Sequence, residues 1–145
     1  IANDSYFQWG ISPTHPNDNF STRLMYRSDG NIYNAGAGGN TTGHASYTNG
    51  DIIGMSYDAS ANTVIFSKNG TAVVTKTAIA NDEPYFFGGT GLSSGTYTGD
   101  FNFGGYANYA ISSAATDANG YGTFEYAPPS GYLALCTKNL AETGG

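Results

Sequence analysis

Charge, cysteine and long apolar runs are all scarce in this chain, and each scarcity excludes something. Lys and Arg number 5 against 11 Asp and Glu, a net charge of -6. A phosphate-binding surface needs clustered cations, so nucleic acid is not expected as a partner. Cys136 is the sole cysteine and has no partner for an internal disulfide. The fold therefore does not rest on the staples of small secreted domains. With only His15 and His44 available as activating bases, Cys136 reads as a buried inert thiol rather than a nucleophile. No apolar run approaches the roughly 18 residues of a membrane helix, so membrane insertion is not expected.

What is present is Gly (21), Tyr (12) and abundant Ser, Thr and Asn, while charged residues make up 11%. That composition describes a turn-dense, β-rich protein with a neutral surface of hydroxyls and amides. At 145 residues the chain is long enough for one core and is read as a single domain spanning 1–145. It begins at Ile1 without a Met, which suggests processing or a start inside a longer polypeptide.

Strands are expected where aromatic and β-branched residues alternate between turn signals. "YFQWGI" (6–11) places Phe7, Trp9 and Ile11 on one face, and Pro13 and Pro16 then end the strand. "RLMYRSDGNIYNAG" (23–36) reads as a hairpin about Ser28–Asn31, and the Gly-rich 36–44 as a surface loop. The clearest region is 51–75. Ile53, Met55 and Tyr57 share one face, as do Val64, Phe66 and Lys68, and Asn69-Gly70 is a strong type I′ hairpin signal. Two further strands are expected at 83–92 and 99–105, the latter with Phe101 and Phe103 inward and Asn102 outward. Residues 105–123 read as irregular loop. The chain should close with a strand, a Pro-Pro-Ser-Gly turn and an apolar segment in which Leu133, Leu135 and Cys136 pack. No segment shows a sustained helical period, and the spacing of strands and turns predicts an antiparallel sandwich.

The run "GDIIGMSYDASANTVIFSKNGTAVV", followed by "PYFFGGTGLSSG", "GDFNFGG" and "FEYAPPSGYLAL", resembles the SPRY (B30.2-like) domain. Asp51, Asp58, Phe66, Lys68, Asn69 and Gly70 match its core. "NFG" (102–104) and "PPSGY", with Pro128, Pro129 and Gly131, are similar to the version found in bacteriophage tail, fibre and other structural proteins. The resemblance covers about 47–140, with the earlier strands fitting more loosely. It implies a concanavalin-like sandwich of jelly-roll type, with no catalytic residues and no cofactor. The family carries further strands before "YFQWGI", so the chain looks like the C-terminal part of a longer one. An insertion at about 106–122 is a departure from the family pattern.

Chemistry in the residues points the same way. Paired carboxylates of glycosidase type are missing: Asp82-Glu83 are neighbours pointing to opposite faces, and Glu125 stands alone. No His or Cys spacing suggests zinc, and "NDN" (17–19) and "SDGN" (28–31) read as Asx turns rather than calcium ligands. The sequons at Asn3, Asn19, Asn40 and Asn69 are what an Asn- and Thr-rich chain produces by chance.

Binding is left. The resemblance implies contacts made by loops at one end of the sheets, here 12–22, 34–47, 88–98 and 106–122. Tyr gives such loops rigid amphipathic area, and Tyr97, Tyr106, Tyr109 and Tyr121 are the candidates. The expected role is a non-enzymatic virion component at the particle surface. It would contact other subunits, including copies of itself, and a host-surface glycan or protein. The alternative is a free carbohydrate- or peptide-binding module of a secreted or surface protein.

Overall fold

The computed structural model describes residues 7–12, 24–34, 39–77, 86–91, 99–105 and 108–143. The chain divides into two compact units, Ile1–Tyr97 and Thr98–Gly145.

The first unit holds two antiparallel sheets. Strands β1 (Phe7–Ser12), β2 (Leu24–Arg27), β3 (Ile32–Asn34) and β7 (Phe86–Gly91) form one sheet in the order β3-β2-β1-β7. Strands β4 (Ile53–Asp58), β5 (Thr63–Lys68) and β6 (Thr71–Lys76) form the other as a meander. Alternation decides which face is buried. Ile11, Leu24, Tyr26 and Ile32 from the first sheet meet Val64 and Phe66 from the second, all fully buried. The Tyr26 and Phe66 rings, 5.6 Å apart, connect the two layers. Trp9, Ile53, Met55 and Tyr57 pack against this cluster as the period-two reading requires. The result is an all-β antiparallel sandwich.

Turn chemistry fixes the register. Asn69 and Gly70 have φ of 49° and 79°, so both central positions of the β5–β6 turn are left-handed. That is the type I′ geometry, which matches the twist of the flanking strands. A valine at Gly70 would place a β-branched residue there, at an expected cost of about 1–3 kcal/mol. Thermal melting of Gly70→Val checks this, and a variant melting with the wild type would refute the turn assignment. At the other end of β4, the Asp58 carboxylate accepts hydrogen bonds from the Ser60 and Ala61 amides at 2.9 and 3.0 Å and shapes the β4–β5 connection.

In the β2–β3 hairpin, Asp29 does the same work: it accepts from the Asn31 amide at 3.1 Å and pairs with Arg27. "SDGN" is therefore an Asx turn. Loop 39–44 is mostly exposed but is bridged to β3 through Thr41 and Ile32. The expectations placed on 13–23, 78–85 and 92–98, including "NDN" and Asp82-Glu83, lie outside the described residues.

The second unit departs from the sequence reading. Residues 99–105 are not a strand. Phe101 and Phe103 are 48% and 43% exposed, with rings parallel and 5.9 Å apart, whereas Asn102 turns inward. Its amide donates to Thr123 O at 2.7 Å and its oxygen accepts from the Gly104 amide at 2.8 Å. That local turn, closed by Gly104 at φ 100°, curls a chain whose Phe-Asn-Phe alternation imitates a strand. The strand expected after 123 is reduced to one bridge, Ala115 to Phe124.

The C-terminal segment also differs. Leu133 and Leu135 are 40% and 58% exposed, Cys136 is half-buried, and Ala134 between them is the buried residue. A short helix, α1 (Thr137–Thr143), follows. Seven residues make about two turns, too few for a helical period to stand out in the sequence.

Candidate binding surface

The matched signature residues Asp51, Lys68 and Asn69 meet at one corner of the sandwich. Register brings them there: Ile53 pairs with Lys68, so the start of β4 lies beside the β5–β6 turn. The Asn69 side chain accepts from the Ile52 amide at 2.9 Å and donates to Asp51 at 2.7 Å, while its backbone amide donates to Ile52 O at 2.8 Å. Lys68 Nζ lies 3.1 Å from the Asp51 carboxylate and donates to Ser46 O at 2.8 Å. Asp51 also accepts from the Thr48 amide at 2.8 Å, and its own amide returns a bond to Thr48 O at 3.1 Å. Lys68 thus finds its acid in Asp51. Asp58, paired with Thr63, sits at the opposite end of the β4–β5 ladder from Lys68.

The corner is stapled from inside by Tyr47. Its hydroxyl, buried between β1 and β2, lies 2.7 Å from Phe7 O and 2.9 Å from Tyr26 O and donates to them. Its ring meets Tyr26 edge-on at 4.9 Å, and the Tyr26 hydroxyl donates to Ala45 O. Burial raises the pKa of both phenols, so they remain donors at any physiological pH. Loop 45–48 is therefore pinned although it has no regular structure.

Between this loop and the β5–β6 hairpin lies an open depression of about 410 Å³. Gly43, His44, Ala45, Lys68, Thr71, Ala72 and Val73 line it. His44 Nε2 is hydrogen-bonded to Thr41 Oγ1 at 2.9 Å, which orients the imidazole. The depression presents small apolar groups (Ala45, Ala72, Val73) beside the side chains of His44 and Lys68. Sequence reasoning included this loop in 34–47 but missed the depression, because lining residues such as Ala45 and Ala72 carry no pattern.

Acid should loosen this corner. Partial burial pushes the Asp51 carboxyl up, but bonds from Thr48, Asn69 and Lys68 outweigh it and hold the pKa below the ordinary range. The Arg27 hydrogen bond does the same for Asp29. A depressed carboxyl contributes stability above its unfolded pKa, near 3.9, and loses it as pH falls through the folded value. Stability is therefore expected to fall on acidification below about pH 4, with Asp51→Asn flattening that limb of the curve. Urea titrations across the acid range test this; parallel curves for D51N and wild type would refute it.

The tyrosine candidates fall elsewhere. Tyr97 and Tyr106 lie outside the described residues. Tyr109 is half-buried in the second unit. Tyr121 is half-buried too, with its hydroxyl donating to Glu142 at 2.5 Å and Lys138 Nζ 5.1 Å from its ring centre. It ties residues 108–122 to α1. The hub of that segment is Asp117, which accepts from the amides of Asn119, Tyr121 and Ala134 at 2.8–3.0 Å and from the Asn139 side chain at 2.7 Å. Sequence reading missed Asp117, although Asp followed two residues later by Asn-Gly is a turn signal. Pro129 and Gly131 lie in a turn closed by the Tyr132 amide on Pro129 O at 3.1 Å, and Pro128 immediately precedes it.

Glu125 accepts from the Ser112 amide at 2.6 Å and from its hydroxyl, so it braces a loop. Among the described residues, no group of three His, Cys, Asp or Glu side chains could hold a metal ion. No helix among them is long and apolar enough to cross a membrane. The Asn69 sequon amide is committed to Asp51, whereas Asn40 is exposed.

Neither a curated protein nor a solved structure matches the chain. The family model for the SPRY domain matches residues 5–106, which takes in both sheets, the Asp51 corner and the depression. With that match across most of its length, and an antiparallel sandwich closed by the Lys68-Asn69-Gly70 hairpin, the chain belongs to the SPRY domain family.

Proposed function

We propose that this chain is a non-enzymatic protein–protein interaction module serving as a bacteriophage virion component, a capsid-decorating, fibre or tail-associated domain. The observation that carries the interaction reading is the depression beside the Asp51 corner. Its walls are pre-ordered by the Tyr47, Lys68 and Asn69 bonds, so a partner docks there without first ordering the loop. The particle reading is supported by "NFG" and "PPSGY", which resemble phage structural proteins, and by a chain poor in Lys. Interfaces are depleted in Lys and enriched in Tyr, and symmetric assemblies repeat one such contact many times. The partners are other subunits, including copies of this chain, and a host-surface protein or glycan is a further target of the exposed loops.

Ala72 is exposed on β6 at the depression, so Ala72→Arg fills it without entering the core. Sedimentation over a concentration series should show the chain self-associating and A72R shifted toward monomer with an unchanged circular dichroism spectrum. Monomer at every concentration for both proteins would sink the self-assembly contact. A free carbohydrate-binding module is the second reading, favoured by the exposed parallel rings of Phe101 and Phe103, which offer an apolar face to a sugar. Glycan-array binding abolished by Phe101→Ala would replace the first reading with that one.

A further inference from the structure

The chain contains Asn-Gly pairs at 49–50, 69–70 and 119–120. Glycine after asparagine leaves the backbone nitrogen unshielded, so it can attack the side-chain carbonyl. The three pairs share this chemistry and differ in how firmly the reacting groups are held.

Asn69 has both ends of its amide engaged, Oδ1 with the Ile52 amide and Nδ2 with Asp51. Asn119 donates its Nδ2 to Asn139 at 2.9 Å, and the Gly120 nitrogen that would attack it is itself bonded to Asp117 O at 3.0 Å. Asn49 and Gly50 are both exposed, and neither the Asn49 side chain nor the Gly50 amide makes a hydrogen bond to a described residue. Thr48 and Asp51 close the turn around them through two mutual bonds.

We propose that Asn49 is a site of spontaneous deamidation and that its isoaspartate product releases the Asp51 anchor beside the depression, giving the corner a slow one-way timer. The Gly50 nitrogen loses its proton and attacks Asn49 Cγ. The new C–N bond closes a succinimide as the Cγ–Nδ2 bond breaks and ammonia leaves. Water then opens the ring at either carbonyl, yielding aspartate or isoaspartate. Either product adds a negative charge two residues from Asp51. Isoaspartate also inserts one methylene into the backbone between Thr48 and Asp51, the span closed by the Thr48 O to Asp51 N bond. Asp51 then no longer meets Thr48, Lys68 and Asn69 together.

The test ages the full chain in mildly alkaline buffer and maps its peptides by mass spectrometry, with enzymatic methylation reporting isoaspartate. In the folded protein Asn49 should convert about tenfold faster than Asn69 or Asn119, whose held groups must first be freed. In urea the three rates should converge. Equal rates in the folded state, or conversion at Asn69 first, would overturn the site. Hydrogen exchange tests the release: the Asn69 amide, bonded to Ile52 O, should exchange faster in the isoaspartate fraction than in fresh Asn49→Asp, which carries the charge without the methylene. Equal exchange in both would overturn the timer. Asn49→Gln should show neither change.

Discussion

Replacing Phe66 with Ala is expected to remove about 3–5 kcal/mol of stability, enough to take a large share of the 5–15 kcal/mol that holds a domain of this size. Phe66 is fully buried on β5, lies 5.6 Å ring to ring from Tyr26 on the facing sheet, and pairs with Met55 and Val74 on its two neighbouring strands. It therefore touches both layers. Removing it leaves a cavity whose walls are two hydrogen-bonded sheets, and these cannot collapse to refill it. The effect should reach beyond the core. Tyr26 packs on Phe66 and its hydroxyl holds Ala45 O, so a displaced Tyr26 also unpins the loop that lines the depression. Urea unfolding gives the first number, and Ile65→Ala, half-buried on the opposite face of the same strand, gives the comparison. A loss at Phe66 no larger than at Ile65 would mean that the sandwich core is not where the burial places it.

The β5–β6 hairpin was legible in the sequence because two local codes agree there: period-two burial and a turn residue that only one geometry accepts. Val64, Phe66 and the Asn69-Gly70 turn are of that kind, whereas the hairpin about Ser28–Asn31 was legible from its turn alone, because Leu24, Met25 and Tyr26 are buried in succession. Tyr47 was not legible. It is a core residue in a segment without periodicity, and it earns burial by giving its hydroxyl to two strand carbonyls that no pattern reveals. The Asp51 corner was legible in part. Its members stand out as a family signature, but Asp51 and Lys68 meet only through the β4–β5 register, a long-range fact. The Phe101–Phe103 segment failed in the opposite sense. Its alternation is real, yet Asn102 prefers a local turn with Gly104, and a short-range hydrogen bond overrides the pattern. The depression left no trace because Ala45 and Ala72 are unremarkable in any sequence.

Gly10→Ala should be nearly as damaging as the loss of Phe66, although it adds one methyl group. Gly10 lies on β1, the strand that joins β2 to β7, opposite Met25 and Gly88. A Cβ there would stand 1.9 Å from Leu24 O and 2.6 Å from Met25 Sδ. The first obstacle is backbone, so relief requires β1 and β2 to separate, and the paired carbonyls and amides between them lose partners as they do. Overpacking of this kind costs about 1–3 kcal/mol when side chains yield and more when a ladder must open. Gly54 provides the control, since it is also a strand glycine with a close neighbour. Its added Cβ would meet Ser67 Oγ at 2.3 Å, the end of a side chain that can rotate away. Gly54→Ala is thus expected to fold with a melting temperature near the wild type, while Gly10→Ala melts far earlier. If the two variants melt together, strand separation at β1–β2 is not what limits Gly10. If Gly10→Ala alone fails, the tolerance of each glycine position is set by whether its neighbour is backbone or a movable side chain, and glycine at position 10 is what allows β1 to sit between its partners.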